Sequence, residues 1–127
     1  MNTPSSQERR RVKRRSLAYY MLVLDDNTNA TIGHLVDITP QGLMMDTPKP
    51  LPLQQNFRLR LDLTPDVSDR DHIAFTARTK WCAPDVIEPY LYDVGFSIIT
   101  ISTYDARVLE HIAEIYAAHE GYTFPPS

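Results

Sequence analysis

The 127-residue sequence has few of the features that stabilise secreted domains or anchor proteins in membranes. Its one cysteine, Cys82, excludes an internal disulfide, and no apolar run approaches the ~20 residues of a membrane-spanning helix. A signal-peptide pattern is also absent from the N-terminus. We therefore expect one cytoplasmic domain without membrane insertion, long enough to bury a core without disulfides or metal.

Catalytic and metal-binding patterns are equally scarce. The four histidines lack the spacing of metal ligands, and His111 between Glu110 and Glu114 is typical of a solvated helix face. Cys82 stands alone on the strand face opposite the predicted core, and no Gly-x-Ser-x-Gly turn occurs. The aspartates of residues 62–71 lack EF-hand spacing. We predict a protein that is not an enzyme and that needs no metal or cofactor.

Positive charge is concentrated at the N-terminus. Residues 1–15 hold six Lys/Arg against one Glu, a net of +5, whereas the rest holds seven against fifteen Asp/Glu, a net of −8, which together give −3. With so few apolar residues, 1–15 is predicted to be a flexible basic arm. Its charge favours a small anionic ligand held between arm and body, although a solvated tail explains the charge alone equally well. Nucleic acid is disfavoured because tracking its phosphates needs a broad basic face.

Residues 16–120 contain a series of short strand patterns. The clearest is the alternation of apolar residues with Arg58, Arg60 and Asp62. A second alternating run predicts that Trp81 lies in the core, and the cluster of Tyr19, Tyr20, Tyr90 and Tyr92 is predicted to pack in the same sheet. The predicted strands are Leu17–Leu24, Thr31–Thr39, Leu43–Asp46, Phe57–Leu63, Ile73–Trp81 and Tyr90–Ile98.

The period changes to that of a helix after Ile101. Ser102 and Asp105 form a start that resembles a capping box, and apolar residues then recur at helical spacing until Gly121. This pattern predicts a helix over residues 103–120 and a tail over 121–127. Because no long helix separates the strands, we predict a mainly β fold, a six-stranded antiparallel β-barrel or half-barrel with a C-terminal helix.

A polar turn follows the second predicted strand. Side-chain alternation places Asp37 and Thr39 on one face, and Gly42 has no Cβ to obstruct a close approach. A carboxylate and a hydroxyl within reach of an arginine-rich arm suit a polar planar ligand, because arginine pairs bidentately with phosphate and with the guanine edge.

The arm and this turn together resemble the PilZ domain family, bacterial receptors for the second messenger cyclic di-GMP. The family pattern is RxxxR on an N-terminal arm, followed by (D/N)xSxxG after the second strand. RxxxR occurs twice here, as Arg10 with Arg14 and as Arg11 with Arg15, and both pairs are candidates for ligand binding.

The second motif of the family is matched by Asp37, Thr39 and Gly42, with threonine in place of serine. The resemblance implies that the arginines clamp the two phosphates and a guanine edge. It also implies that Asp37 accepts from a guanine edge or an arm guanidinium, that Thr39 hydrogen-bonds the base, and that Gly42 makes room. It implies a stand-alone cyclic di-GMP receptor that relays its state to a protein partner. The alternative is a PilZ-like adaptor with weak or no nucleotide binding, acting in motility or type IV pilus control.

Overall fold

The computed structural model describes residues 21–65 and 67–123, with side chains described up to residue 117. Six strands close into an antiparallel barrel in the order β1-β2-β3-β6-β5-β4, and a helix follows them in the chain. The predicted fold class is therefore confirmed. The elements are β1 Leu22–Asp25, β2 Thr31–Thr39, β3 Gly42–Thr47, β4 Asn56–Asp62, β5 His72–Pro84, β6 Tyr92–Ile101 and α1 Thr103–Thr123.

The β4–β5 pair is the most regular part of the barrel. The two strands pair in unbroken register along the whole of β4. Leu59 and Leu61 point inward and are fully buried, whereas Arg58 and Arg60 point outward. The alternation predicted for this strand is confirmed.

Helix α1 covers one opening of the barrel. It contacts β2 and β5, which lie on opposite sides of the closed sheet. Four of its side chains join the barrel core, and these are Val108, Leu109, Ile112 and Tyr116. No helix among the described residues is both long enough and apolar enough to cross a bilayer.

The start of α1 is fixed by two side chains. The Ser102 hydroxyl accepts a hydrogen bond from the Asp105 backbone N–H at 3.1 Å, as the sequence predicts for an N-cap. The Asp105 carboxylate accepts from the Ala74 N–H at 3.3 Å and pairs with Arg70, also at 3.3 Å. These contacts tie the helix to β5 and to the loop that precedes it.

Several predicted boundaries differ from the structure. Tyr90 is 71% exposed in the β5–β6 loop, so its predicted packing in the sheet is wrong, whereas Tyr92 begins β6 and packs against the core. The Asp85 N–H donates to the Leu91 carbonyl at 2.9 Å, and this hydrogen bond closes the loop directly before β6 begins at Tyr92. Helix α1 continues to Thr123, past the predicted end at residue 120. Tyr19, Tyr20 and residues 17–20 of the first predicted strand lie outside the described residues.

Candidate functional site

An open cavity of about 440 Å³ lies on the outer surface of the barrel, where the turn between β2 and β3 meets β6 and β5. Asp37, Thr39 and Gly42 all line it, so the structure brings together these three predicted ligand-binding residues. Lys80 and Trp81 line the opposite side. The other four predicted site residues, Arg10, Arg11, Arg14 and Arg15, lie outside the described residues.

A β-bulge in β2 turns Asp37 toward this cavity. Leu35 pairs with Met45 and Asp37 pairs with Met44, so Val36 is an extra residue on its strand. Leu35 points into the core, and regular alternation would therefore point Asp37 inward as well. The extra residue reverses that direction and places Asp37 beside Thr39 on the outer face.

A second irregularity, in β5, turns Trp81 outward. Thr79 pairs with Phe96 and Trp81 pairs with Gly95, which leaves Lys80 as the extra residue. Thr79 is fully buried, and Trp81 is 44% exposed in the cavity. The prediction that Trp81 lies in the core is therefore wrong. The same irregularity turns Cys82 inward, where it is half-buried against the core rather than on the opposite face.

Two glycines allow close packing at the cavity. A Cβ on Gly95 would lie 2.1 Å from Nε1 of Trp81, so the indole ring rests directly on this glycine. A Cβ on Gly42 would lie 2.4 Å from the Phe96 carbonyl oxygen. Gly42 is thus required for the close approach of β3 and β6, in addition to the room that it was predicted to leave for a ligand.

The described chain begins beside the strand that carries Asp37. The Leu35 N–H donates to the Met21 carbonyl at 2.7 Å, and the Met21 N–H donates to the Tyr116 hydroxyl at 3.3 Å. Arg15 is six residues and Arg10 eleven residues before Met21. Extended chain of these lengths spans up to about 20 Å and 40 Å. The intervening sequence is therefore long enough for either arginine pair to reach the cavity.

Comparison with known proteins identifies the family. A family model for the PilZ domain matches residues 8–114. The chain belongs to the PilZ domain family. PilZ domains are regulatory ligand-binding domains and are generally not enzymes. No curated protein sequence matches the chain.

Two solved structures share the fold of this PilZ domain at low sequence identity. The PilZ domain with c-di-GMP of YcgR from Escherichia coli is 15% identical, with a TM-score of 0.59 over 81% of this chain and 85% of that chain. The Bacillus subtilis inhibitor of motility (MotI/DgrA) is 14% identical, with a TM-score of 0.64 over 78% of this chain. The match covers 47% of the Bacillus protein, so this chain spans about half of its length.

The threonine that departs from the PilZ pattern has a structural role in the turn. The Thr39 hydroxyl accepts from the backbone N–H groups of Gln41 and Gly42, both at 3.3 Å. Asp37 accepts from the N–H of its neighbour Ile38 at 2.9 Å. The hydroxyl of Thr39 therefore stabilises the β2–β3 turn while it lines the cavity.

Sequence reasoning missed part of the PilZ cavity. The missed side chains and glycine are Lys80, Trp81, Gly95 and Ser97. One signal pointed to them, because a glycine inside a strand pattern marks a bulge or a close approach of another group. Over residues 21–65 and 67–123, no cluster of three or more His, Cys, Asp or Glu side chains is placed to hold a metal ion.

Proposed function

We propose that this PilZ domain is a cytoplasmic receptor that binds cyclic di-GMP between its arginine-rich arm and the 440 Å³ cavity. The proposed output is a change in the arm that a protein partner recognises. The observation that supports the proposal is the position of Asp37, Thr39 and Gly42 on one cavity, on the strand beside which the described chain begins at Met21. The YcgR PilZ domain, whose structure has c-di-GMP, supports the same ligand.

The residues of the proposed site have complementary roles. Arginines of the arm supply planar donor pairs for the two phosphates and for a guanine edge. Asp37 accepts from a guanine N–H or from an arm guanidinium. Trp81 offers an exposed aromatic face for a base, and Lys80 adds a positive charge next to it.

Ligand binding would order the arm. In the proposed mechanism, the six Lys/Arg within the first fifteen residues would repel one another in the free protein, which would favour an extended arm. The two negative charges of cyclic di-GMP offset this repulsion and attach the arm to the barrel. The arm would then present a new surface to the partner.

Titration calorimetry with cyclic di-GMP tests the clamp. The double substitutions Arg10→Ala with Arg14→Ala, and Arg11→Ala with Arg15→Ala, remove one RxxxR pair each. Loss of the ligand-binding pair should weaken affinity by roughly 1.5–3 kcal/mol per charge-assisted contact. Lysine at the same positions should restore only part of the lost affinity, because lysine supplies the positive charge but not the planar, bidentate donors of the guanidinium group.

Arg107→Ala is the matched control, because Arg107 is an exposed arginine on α1. It should bind cyclic di-GMP as the parent does. Parental affinity in both double variants would show that the arginines of the arm do not bind cyclic di-GMP. Amide exchange supplies a second test, since saturating ligand should protect the arginine segment and leave the barrel strands nearly unchanged.

The second candidate function, a PilZ-like adaptor with weak or no nucleotide binding, has one observation in its favour. The Thr39 hydroxyl is engaged by the turn amides, and its additional methyl group narrows the space where the family has serine. If the protein is an adaptor, titration of the parent protein with cyclic di-GMP should give little or no heat of binding. Binding that appears only after Thr39→Ser would establish this alternative.

A further inference from the structure

We propose that the outer face of the β4–β5 pair docks an extended acidic segment of a protein partner. This surface, called the basic face below, consists of Arg58 and Arg60 on β4 and of Arg78 and Lys80 on β5. The inference goes beyond the proposed nucleotide site, because it names the chemistry of the partner. Its test needs no nucleotide, so it can fail independently of the receptor function.

The basic face holds most of the positive charge that follows the N-terminal arm. Beyond residue 15 the chain has seven Lys/Arg against fifteen Asp/Glu, and four of the seven lie on this face. Strand alternation directs them outward, because Leu59, Phe75 and Ala77 on the same strands are buried in the core. Alternation explains the outward direction but not the gathering of cations in an otherwise acidic domain. This segregation indicates a surface that selects a negatively charged partner.

The spacing of the cations matches that of an extended chain. Arg78 and Lys80 are two residues apart on β5, a distance of about 7 Å along the strand. Arg58 pairs with Thr76 and is therefore the diagonal neighbour of Arg78, at about 7–8 Å. A segment with Asp or Glu at alternate positions presents carboxylates about 7 Å apart on one side. Such a segment places one carboxylate at each of these cations.

Neutral side chains hold two of the arginines in place. Arg78 donates to the side-chain amide oxygens of Gln54 at 3.2 Å and Asn56 at 3.0 Å. Arg58 donates to the Thr76 hydroxyl at 3.3 Å. These three acceptors carry no charge, so they orient the guanidinium groups without neutralising them. An arginine that is already oriented loses less conformational freedom when it binds a carboxylate, and the basic face is thus preorganised.

Two carboxylates contact the arginines of β4 but leave most of the basic face available. Asp62 lies 2.9 Å from Arg60, which is only 18% exposed, so docking contacts fall to the other three cations. Asp26 lies 3.6 Å from Arg58, which is 43% exposed. A solvent-exposed pair at this distance contributes little to stability. A partner with several carboxylates can therefore bind Arg58 at low cost.

The size and surroundings of the basic face favour a short protein segment over a nucleic acid. The paired part of β4 and β5 is seven residues long, about 20 Å, and two strands are about 10 Å wide. This area accommodates one extended segment. A nucleic acid is held by many phosphate contacts, and the excess of eight acidic residues beyond residue 15 repels a long polyanion. An acidic protein segment is therefore the occupant that fits.

Fluorescence anisotropy with a labelled peptide tests the basic face. The probe has four glutamates that alternate with serines, and it is titrated at low salt without nucleotide. Arg58→Gln combined with Arg78→Gln should weaken peptide binding by about 10-fold, because two charge-assisted contacts are lost. Thermal melts establish that the variant is folded before titration.

The matched control removes the same charge from positions off the basic face. Lys49 lies in the β3–β4 loop and Arg107 on α1, and both are exposed. Lys49→Gln combined with Arg107→Gln should bind the peptide within about 2-fold of the parent. A second peptide carries its four glutamates in one block, so its charge is equal but its spacing differs. It should bind the parent more weakly than the alternating peptide does.

A measurement on the parent protein covers the case in which the double variant loses the fold. The side-chain Nε–H resonances of Arg58 and Arg78 should shift when the alternating peptide is added. Unshifted resonances, or an equal loss of affinity in the two double variants, would overturn the docking surface. Tighter binding of a single-stranded oligonucleotide of equal charge would overturn the choice of a protein segment. Each of these results leaves the receptor function intact, because no nucleotide ligand is present.

Discussion

The two sides of this barrel differ in the regularity of their strand pairing. The β4–β5 wall keeps an unbroken register, buries leucines inward and carries arginines outward. On the other side of the barrel, the β2–β3 pair has a shifted register at Val36 and the β5–β6 pair has one at Lys80. The outer face of these strands carries the cavity. The regular pair buries leucines in the core, whereas the register shifts at Val36 and Lys80 turn the side chains of Asp37 and Trp81 toward the cavity.

The largest effect that this comparison predicts is the loss of stability from a cavity in the regular wall. Leu59→Ala should lower the free energy of unfolding by about 2–5 kcal/mol, because Leu59 is fully buried. Cyclic di-GMP affinity of the folded protein should stay at the parental value. Chemical denaturation and calorimetry at low temperature measure the two quantities, and the exposed Leu53→Ala serves as control. A parallel loss of affinity would contradict the separation of the walls.

The next largest effect concerns Trp81 on the irregular side. Trp81→Ala should weaken cyclic di-GMP binding by about 1–3 kcal/mol through loss of base stacking, with a smaller effect on stability because the ring is 44% exposed. Trp81→Phe should recover part of the affinity. Tyr90→Ala removes an exposed aromatic ring from the β5–β6 loop and should leave binding unchanged. Parental affinity in Trp81→Ala would show that the Trp81 ring does not contribute to ligand binding.

Thr39 separates turn stability from ligand binding. Thr39→Val removes the acceptor for two turn N–H groups and should cost roughly 0.5–1.5 kcal/mol of stability, whereas Thr39→Ser keeps the acceptor. The Ser variant should bind cyclic di-GMP at least as well as the parent, and the Val variant less well. Thr31→Val, at the far end of β2, is the control for a threonine methyl exchange. Thermal melts and titrations of the three variants decide the matter.

The smallest predicted effects come from two exposed cations on the two sides. Arg58→Ala breaks a 3.6 Å pair with Asp26 and should change stability by less than about 1 kcal/mol, without an effect on affinity. Lys80→Ala should leave stability nearly unchanged and should weaken both cyclic di-GMP binding and its dependence on salt. If cyclic di-GMP binding has the same salt dependence in the two variants, Lys80 contributes no more to the electrostatics of binding than an arginine on the other side of the barrel.

The sequence predicted those parts of the molecule that follow local rules. Leu59 and Leu61 were assigned correctly because no register shift occurs along β4. Asp37 and Thr39 were placed on one face correctly because the bulge precedes both of them. Ser102 was recognised as the N-cap because capping depends on neighbours three residues away.

The parts that were missed depend on contacts distant in sequence. The outward position of Trp81 arises where β5 pairs with β6, around Lys80, and a period-two pattern in β5 alone contains no trace of it. Ser97 reaches the cavity only because β6 is inserted between β3 and β5 in the barrel. The cross-strand pairing of Asp46 with Asp93, both of which are buried, has the same origin.

The position of Trp81 also has a spectroscopic consequence. It is the only tryptophan in the chain, so all indole emission comes from the cavity. A molecule that stacks on the half-exposed ring should quench its fluorescence or shift its emission maximum. No second tryptophan adds a background that would mask this change. Tryptophan fluorescence can therefore report the binding of ligands and competitors on the unlabelled protein.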